Sequence, residues 1–395
     1  MPPGAALTKA TQEFQRAGKK VYSLTGGDPT RYGFHPPSFV QDALKKALDD
    51  NYHMYPLGSG IEPKLQEAIA AREKKVAGVD YTADDIVLSP GTTLGQTLLY
   101  EALLDTDDNI VSTEPTYQQY FFFTKYFRAR MATIQCSEET GWQPVVDELR
   151  RVIDSRTKFI LVNNPNNPTG AVYSEKSLKQ ICDIAGEFDI PVVSDEIYDM
   201  CLFDDAKFIS IAKVAGDVPV IVTNGMAKSF MTTGWRIGYL AYHDPTGRIQ
   251  HLKASTKVLK ALIGNIATPI SVAALAAYQN WERGMENFQR MKVSLQKSKD
   301  LTMKRFKEIP GLSTAEPKGA MYAFPRIEWV GRVWKDDAEF MLQLLNEQQV
   351  VFVPGSNYGP TSGFAHFRAL LLPSPAELEI IYDRMEKFML AHRPS

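Results

Sequence analysis

One lysine stands among small residues directly after an apolar run, a setting in which an amine can do chemistry. The segment reads Asn224-Gly225-Met226-Ala227-Lys228-Ser229, with Arg236 a little further on. The run at 219–223 is rich in β-branched residues and is typical of a buried strand. The amine of Lys228 could form a Schiff base with a carbonyl compound. A lysine after a strand is more often an exposed solubilising residue, so the chemical interpretation depends on its companions.

Three other apolar runs, at 86–88, 158–162 and 190–193, also end in unusual polar residues. In open α/β sheets, ligands bind outside the carboxyl ends of the strands. The four strand ends should therefore bring together Thr92, Asn167, Asp195, Tyr198, Lys228 and Arg236. This set suits pyridoxal phosphate, which needs an amine, an anion for its ring nitrogen, donors for its phenolate oxygen and an anion hole for its phosphate.

The ordered motifs resemble those of the fold type I pyridoxal-phosphate-dependent aminotransferases, class I/II. They are Asn164-Pro165-Asn166-Asn167-Pro168-Thr169-Gly170, Asp195-Glu196-Ile197-Tyr198, and Lys228 followed by Thr233-Gly234-Trp235-Arg236-Ile237-Gly238. The resemblance runs from about residue 21 to about residue 390. It implies an α/β fold, a three-layer sandwich with a mostly parallel sheet, plus a smaller α+β domain.

The chain is long enough for two domains, with 395 residues of which 44% are apolar. The resemblance places a large domain, which binds pyridoxal phosphate, at about 50–280. The small domain combines 1–49 with 281–395. A homodimer with active sites at the subunit interface is also implied.

The resemblance assigns the catalytic roles to three residues. Lys228 would be the Schiff-base amine and the general acid and base, while Asp195 would keep the pyridine nitrogen protonated. Tyr198 would donate a hydrogen bond to the phenolate oxygen together with Asn167. Tyr117 would stack on the pyridine ring.

The loop at 89–95 follows a strand and opens a helix, so its backbone N–H groups suit a phosphate. Gly91, Thr92, Thr93 and Arg236 are the predicted phosphate ligands. Relatives often have serines where this chain has Gly225 and Ala227, so binding must lean more on the predicted ligands. Tyr55 would reach the phosphate in the neighbouring subunit, with simple interface packing as the alternative.

Substrate binding is predicted at Arg368, Asn167 and Gly27. Arg368 lies in an apolar strand and matches the family's clamp for the α-carboxylate, for which its planar fork is suited. Gly27 belongs to a segment that lines the substrate mouth in the family, although a turn without a ligand would explain it too. Arg31 is a candidate for a distal carboxylate, and a surface arginine is the alternative.

Two positions that hold a basic residue in enzymes for aspartate fall near Ile263 and Thr93, and neither is basic. An unpaired carboxylate in an apolar pocket is costly, which argues against aspartate. The segments around Gly26, Lys228 and His366 most resemble archaeal-type alanine aminotransferases. Alanine with 2-oxoglutarate, giving pyruvate and glutamate, is therefore the predicted pair. An aspartate, aromatic or broad-specificity aminotransferase, a β-lyase or synthase on this scaffold, and a non-catalytic regulator remain alternatives.

The composition of the chain argues against several classes of binding partner. A net charge of −2 provides no basic field for nucleic acid, and no apolar run is long enough to span a membrane. The three cysteines suit a reducing cytoplasm, and the six histidines lack metal-ligand spacing. The aromatic cluster 120–123 is assigned to the core, and 272–306 is predicted as one long helix that leads to the second domain.

Overall fold

The computed structural model describes residues 3–56 and 58–394. The helices in these residues are α1 (Pro3–Arg16), α2 (Ser38–Asp49), α3 (Ile61–Val76), α4 (Thr92–Leu103), α5 (Gln118–Tyr126), α6 (Leu149–Val152), α7 (Glu175–Glu187), α8 (Gln250–Ile263), α9 (Thr268–Gln279), α10 (Trp281–Glu308), α11 (Asp337–Gln348) and α12 (Pro375–Ala391). None of the helices in these residues is long and apolar enough to cross a membrane.

The strands are β1 (Tyr22–Ser23), β2 (Ile86–Ser89), β3 (Asn109–Glu114), β4 (Arg130–Ser137), β5 (Gln143–Pro144), β6 (Thr157–Asn163), β7 (Val192–Asp195), β8 (Val220–Gly225), β9 (Gly238–His243), β10 (Leu312–Ser313), β11 (Tyr322–Ala323), β12 (Arg326–Ile327), β13 (Val350–Val351), β14 (Val353–Pro354) and β15 (Phe367–Leu370). The predicted strands at 86–88, 158–162, 190–193 and 219–223 correspond to β2, β6, β7 and β8.

The main sheet has eight strands in the order β2-β9-β8-β7-β6-β3-β4-β5. Its central pairs, β4 with β3, β3 with β6, β6 with β7 and β7 with β8, are all parallel. Strand β9 is antiparallel to both of its neighbours. Strands β6, β7 and β8 therefore end at one edge of the sheet, where ligand crevices form in such folds.

Both faces of this sheet are covered. Successive residues of a strand point to opposite faces. On β8, Val220 and Val222 belong to one hydrophobic cluster, whereas Ile221 belongs to another. The α/β sandwich with three layers that the sequence predicts is confirmed.

A third hydrophobic cluster lies around α10, α11, α12 and the short strands β11 and β15. Strand β15 is the middle strand of a three-stranded sheet between β11 and β14. This cluster is made mainly of residues beyond 281, together with Leu7 and Leu24 and with four residues that lie between 198 and 231. We propose that it is the core of the predicted small domain.

Two expectations about individual elements are wrong. The predicted continuous helix over 272–306 is broken at Asn280, whose backbone (φ −116°, ψ 44°) is not helical, so that α9 and α10 are separate. The assignment of 120–123 to the core fails for Phe122, which is 63% exposed. The three cysteines are buried and free.

Candidate active site

The ends of the strands surround a cavity of about 380 Å³. Most of the predicted site residues line its wall, namely Gly27, Thr92, Thr93, Tyr117, Asn167, Asp195, Tyr198, Lys228, Arg236 and Arg368. Gly91 packs directly against Arg236. Tyr55 does not line this cavity and is 87% exposed in the single chain.

Lys228 reaches the cavity from the turn after β8. All six residues of β8 are buried, which fixes the strand that precedes this turn. Its Nζ donates a hydrogen bond to the carbonyl oxygen of Gly27, at 2.6 Å, and lies 5.7 Å from the ring centroid of Tyr198. The lysine amine is thus held at the junction between the sheet edge and the N-terminal segment.

Asp195 is the last residue of β7 and is 6% exposed. Its Oδ2 accepts hydrogen bonds from the Tyr120 hydroxyl at 2.7 Å and from Gln96 Nε2 at 2.9 Å. Burial raises the pKa of this carboxyl, while the two hydrogen bonds and the charge of Lys228 act in the opposite direction. Asp195 forms no ion pair with any residue that the structure describes.

Arg368 projects from β15 and is 5% exposed. Its Nη1 donates to Asn167 Oδ1 at 3.2 Å, and its Nη2 donates to the carbonyl oxygen of Thr25. The guanidinium also lies against the rings of Tyr322 and Tyr358. Burial opposes its charge, but the surrounding tyrosines outweigh burial and raise the pKa of Arg368. It is a buried cation with no carboxylate partner among the described residues.

The corner predicted to hold the phosphate, called here the phosphate corner, is formed by the loop before α4 and by Arg236. Gly91 has φ 83°, and a Cβ there would meet the Arg236 guanidinium. Arg236 Nη1 donates to the carbonyl oxygen of Thr233 at 2.9 Å. A side chain at Gly225 would collide with the carbonyl oxygen of Ile237, so the backbone packs closely at this position.

The residues present fit pyridoxal phosphate. The uncompensated carboxylate of Asp195 matches a protonated ring nitrogen, and the amine of Lys228 faces the same space. Thr92 opens α4 beside Arg236, so backbone donors and a cation meet where an anion would sit. When bound, this cofactor supplies an electron sink that stabilises negative charge at the substrate's Cα.

Sequence reasoning missed three residues at this site, Gln96, Tyr120 and Tyr322. The first two hold Asp195, and the Tyr322 hydroxyl lies 2.8 Å from the hydroxyl of Tyr198. The order of the motifs carries no signal for these contacts. Tyr120 was assigned to the core, and it is indeed buried, but its hydroxyl is turned to the site.

Two features lie outside the main cavity. Arg31 does not line it; its Nε is 3.8 Å from Asp28 and its side chain is 76% exposed, which favours the alternative of a surface arginine. A second cavity of about 930 Å³ shares Thr25 and Gln118 with the first and extends towards α1 and α5.

The fold and the site together define a pyridoxal-phosphate enzyme that acts on amino acids. The family model described as aminotransferase class I and II matches residues 19–384. The chain is 32% identical to an aspartate aminotransferase of Pyrococcus horikoshii over 382 residues, which cover 96% of this chain and 94% of the relative. It is 31% identical to an alanine aminotransferase of Mycobacterium bovis, with 95% and 87% covered.

Solved structures agree with this assignment. An alanine aminotransferase from Pyrococcus furiosus superposes with a TM-score of 0.92 at 40% identity, over 98% of this chain and 96% of the other. A double mutant of Thermus thermophilus aspartate aminotransferase gives a TM-score of 0.87 at 28% identity, over 98% and 96%. The protein belongs to the class I and II aminotransferases, and it is an aminotransferase that uses pyridoxal phosphate.

Proposed function

We propose that this aminotransferase transfers the amino group of alanine to 2-oxoglutarate, giving pyruvate and glutamate in a ping-pong cycle. The count of cations in the main cavity carries the proposal. Its described lining residues include three, Lys228, Arg236 and Arg368. The lysine serves the cofactor aldehyde, Arg236 the phosphate and Arg368 the substrate's α-carboxylate.

No cation of this lining is therefore left for the side-chain carboxylate of aspartate. Thr93, which lines the cavity near the phosphate corner, is neutral. Leaving a neutral polar group unpaired away from water costs about 1–3 kcal/mol, and leaving a carboxylate unpaired costs more. The methyl group of alanine needs no such partner. The distal carboxylate of 2-oxoglutarate lies one methylene further from Cα than that of aspartate, so it would reach the mouth, where water and the neutral donors Thr25 and Gln118 can solvate it.

The roles proposed for the residues follow from their positions. Arg368 holds the α-carboxylate, and Asn167 orients the arginine through its Oδ1. Lys228 lines the same cavity, where its amine would take the proton from the substrate's Cα and return it to the cofactor carbon next to the imine nitrogen. Asp195 keeps the positive charge of the ring nitrogen in place, and Tyr198 donates to the phenolate oxygen.

We also propose a homodimer in which Tyr55 completes the partner's phosphate site. Met54, Tyr55, Val258 and Leu262 are 53%, 87%, 61% and 76% exposed in the single chain. Met54 and Tyr55 line one cavity with Ala261 of α8, the helix that carries Val258 and Leu262, so these exposed residues lie in one region of the surface. Exposed apolar residues grouped in this way are typical of a subunit interface.

The substrate proposal is tested by single-turnover half-reactions of the holoenzyme with alanine, aspartate and phenylalanine. We expect the specificity constant to be highest for alanine. A higher value for aspartate or phenylalanine refutes the alanine assignment and leaves the family assignment intact. Recharging with 2-oxoglutarate, oxaloacetate and phenylpyruvate tests the acceptor in the same way.

A further inference from the structure

We infer that Tyr322 is a positioning residue of this active site, which holds Tyr198 through its hydroxyl and Arg368 through its ring. The inference rests on the proposed function, because it concerns the residues assigned to the phenolate oxygen and the α-carboxylate. Tyr322 is 2% exposed and lines the main cavity. It contacts both Tyr198 and Arg368 from strand β11.

The first contact is between two phenol groups. The hydroxyl oxygens of Tyr322 and Tyr198 are 2.8 Å apart. Burial, and then the neighbouring Tyr322, raise the pKa of Tyr198 well above its usual range, so it remains a phenol. A phenol has one proton to donate and can also accept. With Tyr322 as the donor, the proton of Tyr198 is free to point into the cavity, where the phenolate oxygen of the cofactor would accept it.

The second contact is between a ring and a cation. The guanidinium carbon of Arg368 lies 4.4 Å from the ring centroid of Tyr322 and 5.3 Å from that of Tyr358. Aromatic faces attract a cation, and more strongly where water is excluded. The ring thus stabilises a charge that has no carboxylate partner among the described residues, and it keeps the fork available for the substrate.

Strand pairing explains how one residue reaches both targets. Tyr322 on β11 pairs with Leu370 on the antiparallel strand β15. Arg368 is two residues before Leu370, so its side chain lies on the same face as that of Tyr322. On the other side, a Cβ at Gly27 would meet the Tyr322 hydroxyl, so the ring is held between β15 and the N-terminal segment.

Other ionisable groups face this pair. Lys228 Nζ lies 5.7 Å from the ring centroid of Tyr198. Burial raises the pKa of Tyr117 to about 12, and the nearby Tyr322 adds to this effect. Tyr358 is buried, and its hydroxyl has no hydrogen-bond partner among the described residues. Tyr322 differs from Tyr358 in having both a bonded hydroxyl and a ring against Arg368.

The hydroxyl contact is tested with Tyr322→Phe in the holoenzyme. The readout is the pH midpoint of the change in visible absorption, which follows the proton held between Lys228 and the phenolate oxygen. Loss of the hydroxyl weakens Tyr198 as a donor to that oxygen, so we expect the midpoint to rise by about half a pH unit or more. Tyr358→Phe is the matched control and should leave the midpoint unchanged. An unchanged or lower midpoint in Tyr322→Phe overturns the role of the hydroxyl.

The ring contact is tested by binding of 2-methylalanine, which has an α-carboxylate but no hydrogen on Cα. We expect Tyr322→Phe to keep the wild-type Kd within about two-fold, and Tyr322→Leu to weaken it roughly three- to thirty-fold. A wild-type Kd in Tyr322→Leu overturns the role of the ring. If the leucine variant does not fold, Tyr322→Met takes its place.

These readouts separate the inference from the proposed function. Each compares a variant with the wild-type holoenzyme, and neither needs turnover or a second substrate. An enzyme that prefers another amino donor would fail the half-reaction test with the wild type, while the midpoint shift of Tyr322→Phe would still be expected. Thermal unfolding of each variant shows whether a loss reflects the site or the fold.

Discussion

Asp195 and Asp199 are buried carboxylates four residues apart in the chain, yet their surroundings differ. Asp199 is bonded to the guanidinium of Arg72 and accepts a hydrogen bond of 2.9 Å from Asn224 Nδ2. Arg72 also pairs with Glu73, at 2.6 Å. The carboxylate of Asp195 accepts hydrogen bonds from neutral groups, namely the side chains of Gln96 and Tyr120 and the backbone N–H of Ile197.

In the cluster around Asp199, the carboxylates of Asp199 and Glu73 both pair with the guanidinium of Arg72. Arg72 is 3% exposed at its side chain and stacks 4.8 Å from the ring centroid of Trp281. Burial opposes its charge, but Asp199 and Glu73 raise the pKa of Arg72 well above its usual value. The cluster reaches Gly225, whose N–H donates to Asn224 Oδ1 at 2.7 Å, three residues before Lys228.

The comparison distinguishes buried charges that stabilise the fold from buried charges that are available to bind a ligand. Around Asp199 each charge has a partner within the chain, so the cluster stabilises the turns that carry Tyr198 and Lys228. Asp195 and Arg368 are buried without an opposite charge from the described residues, which costs stability unless a ligand supplies that charge. The uncompensated charges are the ones that would meet the cofactor and the substrate.

The largest effect is expected from Asp195→Asn, which removes the uncompensated carboxylate and keeps its shape. Half-reaction rates should fall on the order of 100-fold or more, because the charge proposed to keep the ring nitrogen protonated is gone. Thermal unfolding should be unchanged or slightly higher, since a desolvation cost is removed. Rates within a few-fold of wild type would break the functional side of the comparison.

Arg72→Met should do the reverse and act mainly on stability. It leaves Asp199 and Glu73 without their cation, and breaking a buried pair costs about 3–5 kcal/mol in the free energy of unfolding. Lys179→Met is the control, because its pair with Asp183 is exposed and worth about 0–1 kcal/mol. Urea unfolding of both variants measures the difference, and equal losses would contradict the structural role.

Glu196, which lies between these two carboxylates in sequence, should make stability depend on pH. Burial, and then the charge of Glu73, raise its pKa from 4.5 to about 8. The native state keeps the proton while the unfolded chain loses it, so stability that is complete below about pH 4.5 is lost as pH rises to about 8. Urea unfolding at both pH values should show that the free energy of unfolding of wild type, relative to that of Glu196→Gln, is lower at the higher pH. A constant difference would argue against the raised pKa.

The smallest effect is expected from Tyr120→Phe, which removes one of the three hydrogen bonds to the Asp195 carboxylate. The pKa of Asp195 should rise further, and the half-reaction should slow by a few-fold, equivalent to about 1 kcal/mol. Tyr100→Phe is the matched control, since the buried Tyr100 hydroxyl has no partner among the described residues. Equal rates in the two variants would remove Tyr120 from the support of Asp195.

The sequence was sufficient for four of the eight strands of the main sheet and for the residues that follow them. Apolar runs located β6, β7 and β8, and the polar motifs after them predicted where Asn167, Asp195 and Lys228 meet. The family assignment and the cofactor followed from the order of these motifs, and both are confirmed. The roles of the single residues and the alanine preference stay predictions.

The supporting residues could not be found in this way. Gln96 is 99 residues from Asp195, and Tyr322 is 124 residues from Tyr198, so only the folded chain joins them. Arg72 and Glu73 belong to a helix with a charged, amphipathic sequence, but both are buried. Phe122 shows the opposite error, because an aromatic residue in a cluster was expected in the core and is exposed.

The break at Asn280 makes α10 a separate helix that connects two distant parts of the molecule. Helix α10 begins at Trp281, beside Arg72, and near its other end Phe306 contacts the ring of Phe367, the neighbour of Arg368, at 6.0 Å. A helix of 28 residues is a rod about 42 Å long. A rotation of about 5° at its start would move its far end by about 4 Å, which is within the range of domain hinge motions. The packing at this joint is thereby linked, through one helix, to the strand that carries Arg368.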